Sequence, residues 1–169
     1  MGYPIEIRLA SKNETVKVLL DKEDYDKYKD WAWHIDGKGY VRHRKYLGGG
    51  RKNAKYTNIF LHRLVNDTPG DKYTDHIDGN KLDNRKSNLR TVTNKQNTHN
   101  QKVRSTNTSG YTGVYIDDKY KKTRYRSMIG VDGKLKHIGT FMDIKSAAKA
   151  YNEAAKTLRG KYARLNHGV

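Results

Sequence analysis

The sequence predicts an α+β protein. It reads as a small N-terminal β-rich module, a central strand–loop–strand–helix unit, and a C-terminal three-stranded sheet packed on one helix. Three observations lead there. Apolar and polar residues alternate with a period of two near both ends of the 169-residue chain. A turn rich in Asp, Gly and Asn (Asp78, Gly79, Asn80, Asp83, Asn84) separates two short apolar runs in the middle. Ala147, Ala148, Tyr151 and Ala155 recur at helical spacing and form a stripe able to cover a sheet.

The elements follow in order. Ile5, Ile7 and Leu9 predict one strand, and Val16, Val18 and Leu20 a second. Asp21 stands where a cap would open a helix over Lys22–Lys29, with Tyr25 and Tyr28 on one side. Trp31 and Trp33, then Tyr40 and Val41 after the Asp36–Gly39 turn, predict a hairpin whose aromatics make a small core. Arg42 to Lys55 is basic and broken by Gly48, Gly49 and Gly50. It reads as a flexible loop, either one that reaches into a DNA groove or a mobile hairpin tip. Ile59, Phe60, Leu61, Leu64 and Val65 predict a short helix, or a strand running into one, over 58–66.

Tyr73–Ile77 and Asn88–Val92 predict two short strands, and Thr93 or Asn94 can cap a helix through Lys95, Gln96, Asn97 and Asn100. Gln101–Ser109 is polar, basic and nearly free of large apolar groups, as expected of a linker. Val114–Ile116, Tyr125–Val131 and Leu135–Phe141 predict three strands, with Asp132-Gly133 as the turn between the last two. Asp143 leads the final helix and Gly160 ends it. The expected organisation is a module at 1–57 able to contact DNA, a core at 58–100, a linker at 101–109 and a domain at 110–169.

Charge narrows the partner. The formal net charge is +17. Residues 1–100 carry 20 Lys/Arg against 13 Asp/Glu, and residues 101–169 carry 15 against 5, so the shorter segment has the larger surplus. Such a field attracts polyanions and speeds their encounter. A membrane surface is a poor fit, because there is no long apolar run, no basic amphipathic helix with a Trp/Leu face, and no signal-peptide pattern. Cysteine is absent, which excludes disulfides and thiolate metal sites. Any metal must be held by His, Asp, Glu, Asn or water, a set that favours hard ions such as Mg2+ or Mn2+.

The densest polar chemistry lies at 75–97. Phosphodiester hydrolysis needs an activated water, neutralised phosphate charge and a stabilised leaving oxygen. His76 fits the base, since neutral imidazole takes a proton near physiological pH. Asp75 and Asn97 fit a carboxylate–amide pair for one divalent cation. Adjacent strand residues point to opposite faces, so Asp75 and His76 can share a site only where the strand ends and the chain turns, as Asp78-Gly79 suggests.

The pattern Asp75-His76, Asn88, Asn97 resembles the HNH (ββα-metal, His-Me finger) nuclease motif. Together with Leu61-His62-Arg63-Leu64, Asp75-His76-Ile77-Asp78-Gly79-Asn80, Asn84 and Asn88-Leu89-Arg90, it resembles the branch found in phage homing endonucleases. That resemblance implies His76 as general base, Asp75 and Asn97 as metal ligands, and Asn88 as the residue that buttresses the loop and orients the base. Asn97 stands where the family name expects a second His, and an amide oxygen is a weaker ligand than imidazole. Residues 110–166 resemble an AP2-type DNA-binding domain through Gly110-Tyr111, Gly113-Val114-Tyr115, Ile138-Gly139-Thr140-Phe141, Ala147-Ala148, Ala150-Tyr151 and Ala154-Ala155. In that family the sheet enters the major groove, which makes Lys121, Arg124, Arg126, Lys134 and Lys136 candidate DNA contacts; Tyr125 stands where the family usually has Trp. Lys102 and Arg104 in the linker could track phosphates. The resemblance further implies a phage-encoded protein in the cytoplasm of a host cell, acting on double-stranded DNA as a monomer or a dimer, with no protein partner implied.

Other readings are weighed by residue pattern. An EF-hand is excluded by spacing, since His76 and Ile77 interrupt the acidic ligands and no terminal Glu follows. His62 is expected to pack or hydrogen-bond near the site, and His99 to lie on an exposed helix face. A non-catalytic DNA-binding regulator would not need Asp75, His76, Asn88 and Asn97 together. An RNA-binding module is permitted by the 13 tyrosines, which can stack on bases, but the motif and the C-terminal sheet favour duplex DNA.

Overall fold

The computed structural model describes residues 2–9, 14–100, 106–119 and 122–169. Strands and helices mix in small sheets, the expected α+β class, and the chain forms two compact units, Met1–Asn94 and Lys95–Val169. Lys102, Arg104 and Lys121 lie outside the described residues.

In the first unit, β1 (Tyr3–Leu9) and β2 (Glu14–Leu20) pair antiparallel, with Ile5 opposite Val18. Their alternation buries Ile5, Ile7, Val18 and Leu20 on one face, as the period of two requires. Helix α1 (Lys22–Tyr28) follows, with Tyr25 and Tyr28 packed against that core. Asp21 occupies the cap position, but its side chain makes no cap bond. Its Oδ2 instead accepts from the Lys86 backbone N–H at 2.8 Å, so the residue ties distant chain to the helix start.

A second sheet, ordered β3 (Trp33–Ile35), β4 (Val41–Gly48), β5 (Lys55–Phe60), is an antiparallel meander. The expected flexible loop at 42–55 is corrected here. Val41–Gly48 is a strand paired with Lys55–Phe60, and only the residues between them turn. Charged, polar and apolar residues fall on both faces of this ribbon beyond Val41, so no apolar period betrays it. Gly49 makes the turn feasible, with φ near 100° and a position where a Cβ would meet Asn53 O at 1.9 Å. Residues 57 and 58 both belong to β5. Helix α2 (Leu61–Val65) then buries Leu61 and Val65 in the shared core with Trp33, Val41 and Leu89. The last pair is β6 (Tyr73–His76) and β7 (Leu89–Val92), antiparallel with Asp75 opposite Arg90 and His76 opposite Leu89. Helix α3 (Asn94–His99) begins at the end of this unit and runs on into the second.

The second unit holds β8 (Val114–Asp117), β9 (Arg124–Val131) and β10 (Lys134–Phe141) in the antiparallel order β10-β9-β8. Asp132 and Gly133 both have positive φ, 48° and 77°, which is the twist a two-residue hairpin turn needs. Helix α4 (Ile144–Arg159) covers one face of the sheet, burying Ala147, Ala148, Tyr151 and Ala155. Asp143 caps it by accepting from Ser146 N–H at 2.8 Å. Residues 106–109 of the expected linker are bonded into this unit: Asn107 Oδ1 accepts from Gly110 N–H at 2.7 Å and Ser109 Oγ donates to Val114 O at 2.8 Å. Among the described residues no helix is long and apolar enough to cross a membrane.

Candidate active site

The loop between β6 and β7 is built by side chains that mimic backbone. Asp78 Oδ1 accepts from Asn80 N–H at 2.7 Å, and Asn80 Oδ1 accepts from Leu82 N–H at 3.1 Å. These are Asx turns, which is why Asp and Asn cluster here. Gly79 has φ 74° and donates to His76 O at 2.9 Å, closing the turn immediately after the strand. The far end is stitched to β2: Leu19 N–H donates to Leu82 O and Asn84 N–H donates to Leu19 O, each at 2.8 Å. The β1–β2 hairpin thus anchors the loop that carries the motif.

Asn88 braces this loop from the inside. Its Nδ2 donates to Asp78 Oδ1 and to Asp83 O, both at 2.9 Å, while its Oδ1 accepts from Asp78 N–H at 3.1 Å. Asp83 is held in turn by Arg85, whose guanidinium makes a bidentate pair with it. That hydrogen bond keeps the Asp83 carboxyl below its ordinary range, so it stays ionised although buried. Asn88 therefore braces the loop, and the His76 ring is met by a different residue.

That residue is Asn84. His76 Nε2 lies 3.3 Å from Asn84 Oδ1. Asn84 Nδ2 donates to Lys81 O at 3.2 Å, which fixes the amide with its oxygen toward the ring. An acceptor at Nε2 requires the proton there, so the lone pair belongs to Nδ1. Burial lowers the His76 pKa from its ordinary value, and the Asn84 bond and the Asp75 and Asp78 charges oppose that shift. Other rings lie close to His76. His62 lies 5.3 Å from His76 by ring centroids, Tyr40 lies 5.0 Å from His62 and 6.3 Å from His76, and Phe60 lies 5.7 Å from His62. Burial pushes His62 down to about 3, aided by the neighbouring His76, so it stays neutral. Lys81 Nζ sits 4.1 Å over Tyr40 and donates to Lys38 O.

Asp75 is buried beside His76 in sequence but follows its own cross-strand partner. Arg90 Nε and Nη2 both donate to Asp75 Oδ2, at 2.9 and 2.6 Å. Burial, and after it the Asp75 charge, push the Tyr40 hydroxyl up, while at His76 the same charge only opposes the fall that burial causes. Asn97 is half-buried on α3. Among the described residues no three His, Cys, Asp or Glu side chains gather as a metal cluster. Asp75 belongs to the first unit and Asn97 to the second, and their carboxylate and amide oxygens are of the donor type that hard divalent ions take. Asn84, Arg90 and Tyr40 were not singled out for a role from the sequence. Arg90 was within reach of sequence reasoning, since the ββ register places it opposite Asp75; Tyr40, contributed by a separate sheet, carried no such signal. His62 packs beside the site as expected, whereas His99 is half-buried rather than exposed.

The expected DNA contacts on the C-terminal sheet divide by register. Arg126 lies opposite Tyr115 and Thr140, and Arg124 opposite Asp117. Lys134 and Lys136 lie opposite Val131 and Ile129, residues of the face that packs on α4, and remain exposed at the hairpin end. Arg126 also pairs with Asp117 at 3.3 Å.

Comparison with known proteins bears on the segment that carries these residues. The family pattern described as HNH endonuclease matches residues 67–99, the segment from just before β6 to the end of α3. An HNH endonuclease of Acanthamoeba polyphaga mimivirus is 34% identical over 133 residues, spanning 74% of this chain and 67% of that protein. Protein 3.8 of Escherichia phage T7 is 33% identical over 99 residues, spanning 57% of this chain and 78% of that one. No solved structure matches the chain. A matching motif built around a clamped histidine, together with viral relatives covered over two thirds or more of their length, places the chain in the HNH endonuclease family.

Proposed function

We propose that the protein is a site-selective endonuclease that hydrolyses one phosphodiester of double-stranded DNA with His76 as general base. The observation that supports this reading is His76 buried at the end of β6 inside the HNH-matching segment, with its Nε2 held by the Asn84 amide oxygen. His76 Nδ1 takes a proton from water, the water oxygen attacks phosphorus, and the 3′ oxygen leaves with a proton from solvent, giving 5′-phosphate and 3′-hydroxyl ends. HNH nucleases generally use a divalent metal; Asp75 and Asn97 are the residues that would hold one, with Mg2+ or Mn2+ fitting the oxygen donors. Such an ion, when bound, supplies charge neutralisation at the phosphate and at the leaving oxygen. Arg90 holds Asp75 in place through a two-point hydrogen bond. Asn88 keeps the loop rigid around the base.

Site selection belongs, in this proposal, to the second unit, read as AP2-like. The sheet face opposite α4 carries Tyr115, Arg124, Arg126 and Thr140 beside Asp117, a net cationic mixture with stacking and hydrogen-bonding groups suited to a groove. A phage homing-type role follows from the motif resemblance and the viral relatives. The test is relaxation of supercoiled DNA with magnesium or manganese, wild type beside His76→Ala, with chelator as control. Nicking or linearisation that needs the metal and is lost in the variant is expected. Tight DNA binding by wild type with no cleavage of the bound DNA would instead favour a regulator built on this scaffold.

A further inference from the structure

We infer that one face of the β4–β5 ribbon is a second DNA-contacting surface, which seats the sugar–phosphate backbone of duplex DNA beside the His76 site; this rests on the nuclease reading above. Antiparallel register puts Arg42, Arg44 and Tyr46 on the same face as their partners Phe60, Asn58 and Tyr56. That face is continuous with the active site, because Phe60 packs against His62, which packs against His76. Moving outward from Phe60, Arg42 donates to Asn58 Oδ1, the Arg44 guanidinium stacks 4.0 Å above the Tyr56 ring, and Tyr56 lies 5.4 Å from Tyr46. Stacking fixes the guanidinium plane while its edge keeps N–H donors for phosphate oxygens.

Two further observations point to a polyanion. Residues 41–60 contain Arg42, Arg44, Lys45, Arg51, Lys52 and Lys55 and no Asp or Glu. Tyr46 and Tyr56 are 51% and 46% exposed, so the pair stands outside the core that holds Trp33, Tyr25 and Tyr28. A two-stranded ribbon is also of a size the major groove of B-DNA admits. The opposite face of the same strands has a different job. His43 turns there to Trp31 and Trp33, at 5.0 and 6.0 Å, leaving Lys45 opposite Thr57 as the nearest cation on that side.

Arg44 and Lys45 are therefore adjacent cations on opposite faces of one ribbon, and they make the test. The full chain is titrated onto a labelled duplex oligonucleotide in chelator over a range of salt, with far-UV circular dichroism confirming that each variant is folded. Arg44→Gln is expected to weaken binding several-fold and to reduce the slope of log affinity against log salt by about 1, the value of one lost phosphate contact. Lys45→Gln is expected to stay near wild type, and Arg44→Lys, which keeps the charge, to keep the slope. Equal losses in Arg44→Gln and Lys45→Gln would reduce the surface to diffuse charge and overturn the inference, as would an Arg44→Gln protein that binds like wild type. Because cleavage is not read, failure here is distinct from failure of the nuclease assignment, which shows in the supercoiled-DNA assay.

Discussion

The Asn84 amide fixes the tautomer of His76, and the two ring nitrogens cannot exchange roles while that bond holds. Asn84→Ala removes it and also leaves Lys81 O without its donor. The expected result is a single-turnover cleavage rate lower by roughly ten- to hundred-fold, the usual range when a partner that orients an active-site group is lost. Affinity for DNA measured in chelator should be unchanged; a variant that cleaves normally would remove Asn84 from the mechanism. His62 makes a separate prediction. Its folded pKa is pushed to about 3 by burial, against an unfolded value near 6.5. The unfolded chain therefore binds a proton that the native state refuses, so the contribution of His62 to stability is present above about pH 6.5 and falls as pH drops toward 3. The slope from one such proton is about 1.4 kcal/mol per pH unit. Urea unfolding of His62→Phe between pH 7 and pH 4 should lose stability less steeply than wild type, and parallel curves would mean that His62 is not held neutral.

At the scale of elements, close approach decides what each strand and turn tolerates. Gly113 opens β8 with φ 73°, and a Cβ there would lie 2.1 Å from the Tyr151 ring of α4. Gly133 has a similar φ, 77°, but open space around it. Gly133→Ala should therefore cost only the left-handed penalty, about 1–2 kcal/mol, while Gly113→Ala should cost that plus about 1–3 kcal/mol of overpacking. Denaturant unfolding followed by circular dichroism separates the two, and equal losses would refute the contact. Legibility in the sequence follows the same physics. Where one face of an element is buried, as in β1, β2, β9 and α4, the period appears in the residues themselves. Ribbon β4–β5 mixes charged, polar and apolar side chains on both faces, so alternation carries no signal and its glycines suggest a loop. Asp21 has the residue type and place of a cap, yet a backbone N–H more than sixty residues away wins its carboxylate. The motif residues Asp75, His76 and Asn88 were legible because their types are chemically constrained. Asn84 was visible only as one polar residue in a polar turn, since nothing in the sequence says which of several amides meets the ring.

For the whole molecule, the separation of cores matters most. Every residue of the cluster around Val18, Leu20 and Leu61 belongs to the first unit, and those around Val114 and Ile129 belong to the second. Both tryptophans of the chain, Trp31 and Trp33, stand in the first unit. Tryptophan fluorescence thus reports unfolding of the unit that carries His76, whereas far-UV circular dichroism also sees α4, the longest helix described. Ile129 is 1% exposed in the second core. Ile129→Ala should destabilise that unit by about 2–5 kcal/mol, moving the circular dichroism transition to lower denaturant while the fluorescence midpoint stays at its wild-type value. In DNA binding the same variant should lose affinity under conditions where the second unit has unfolded, since the segment from 101 to 169 carries the greater cationic surplus. A fluorescence midpoint that follows the dichroism down by the same amount would mean that the two units unfold as one body, and site selection and cleavage could then not be separated by mutation.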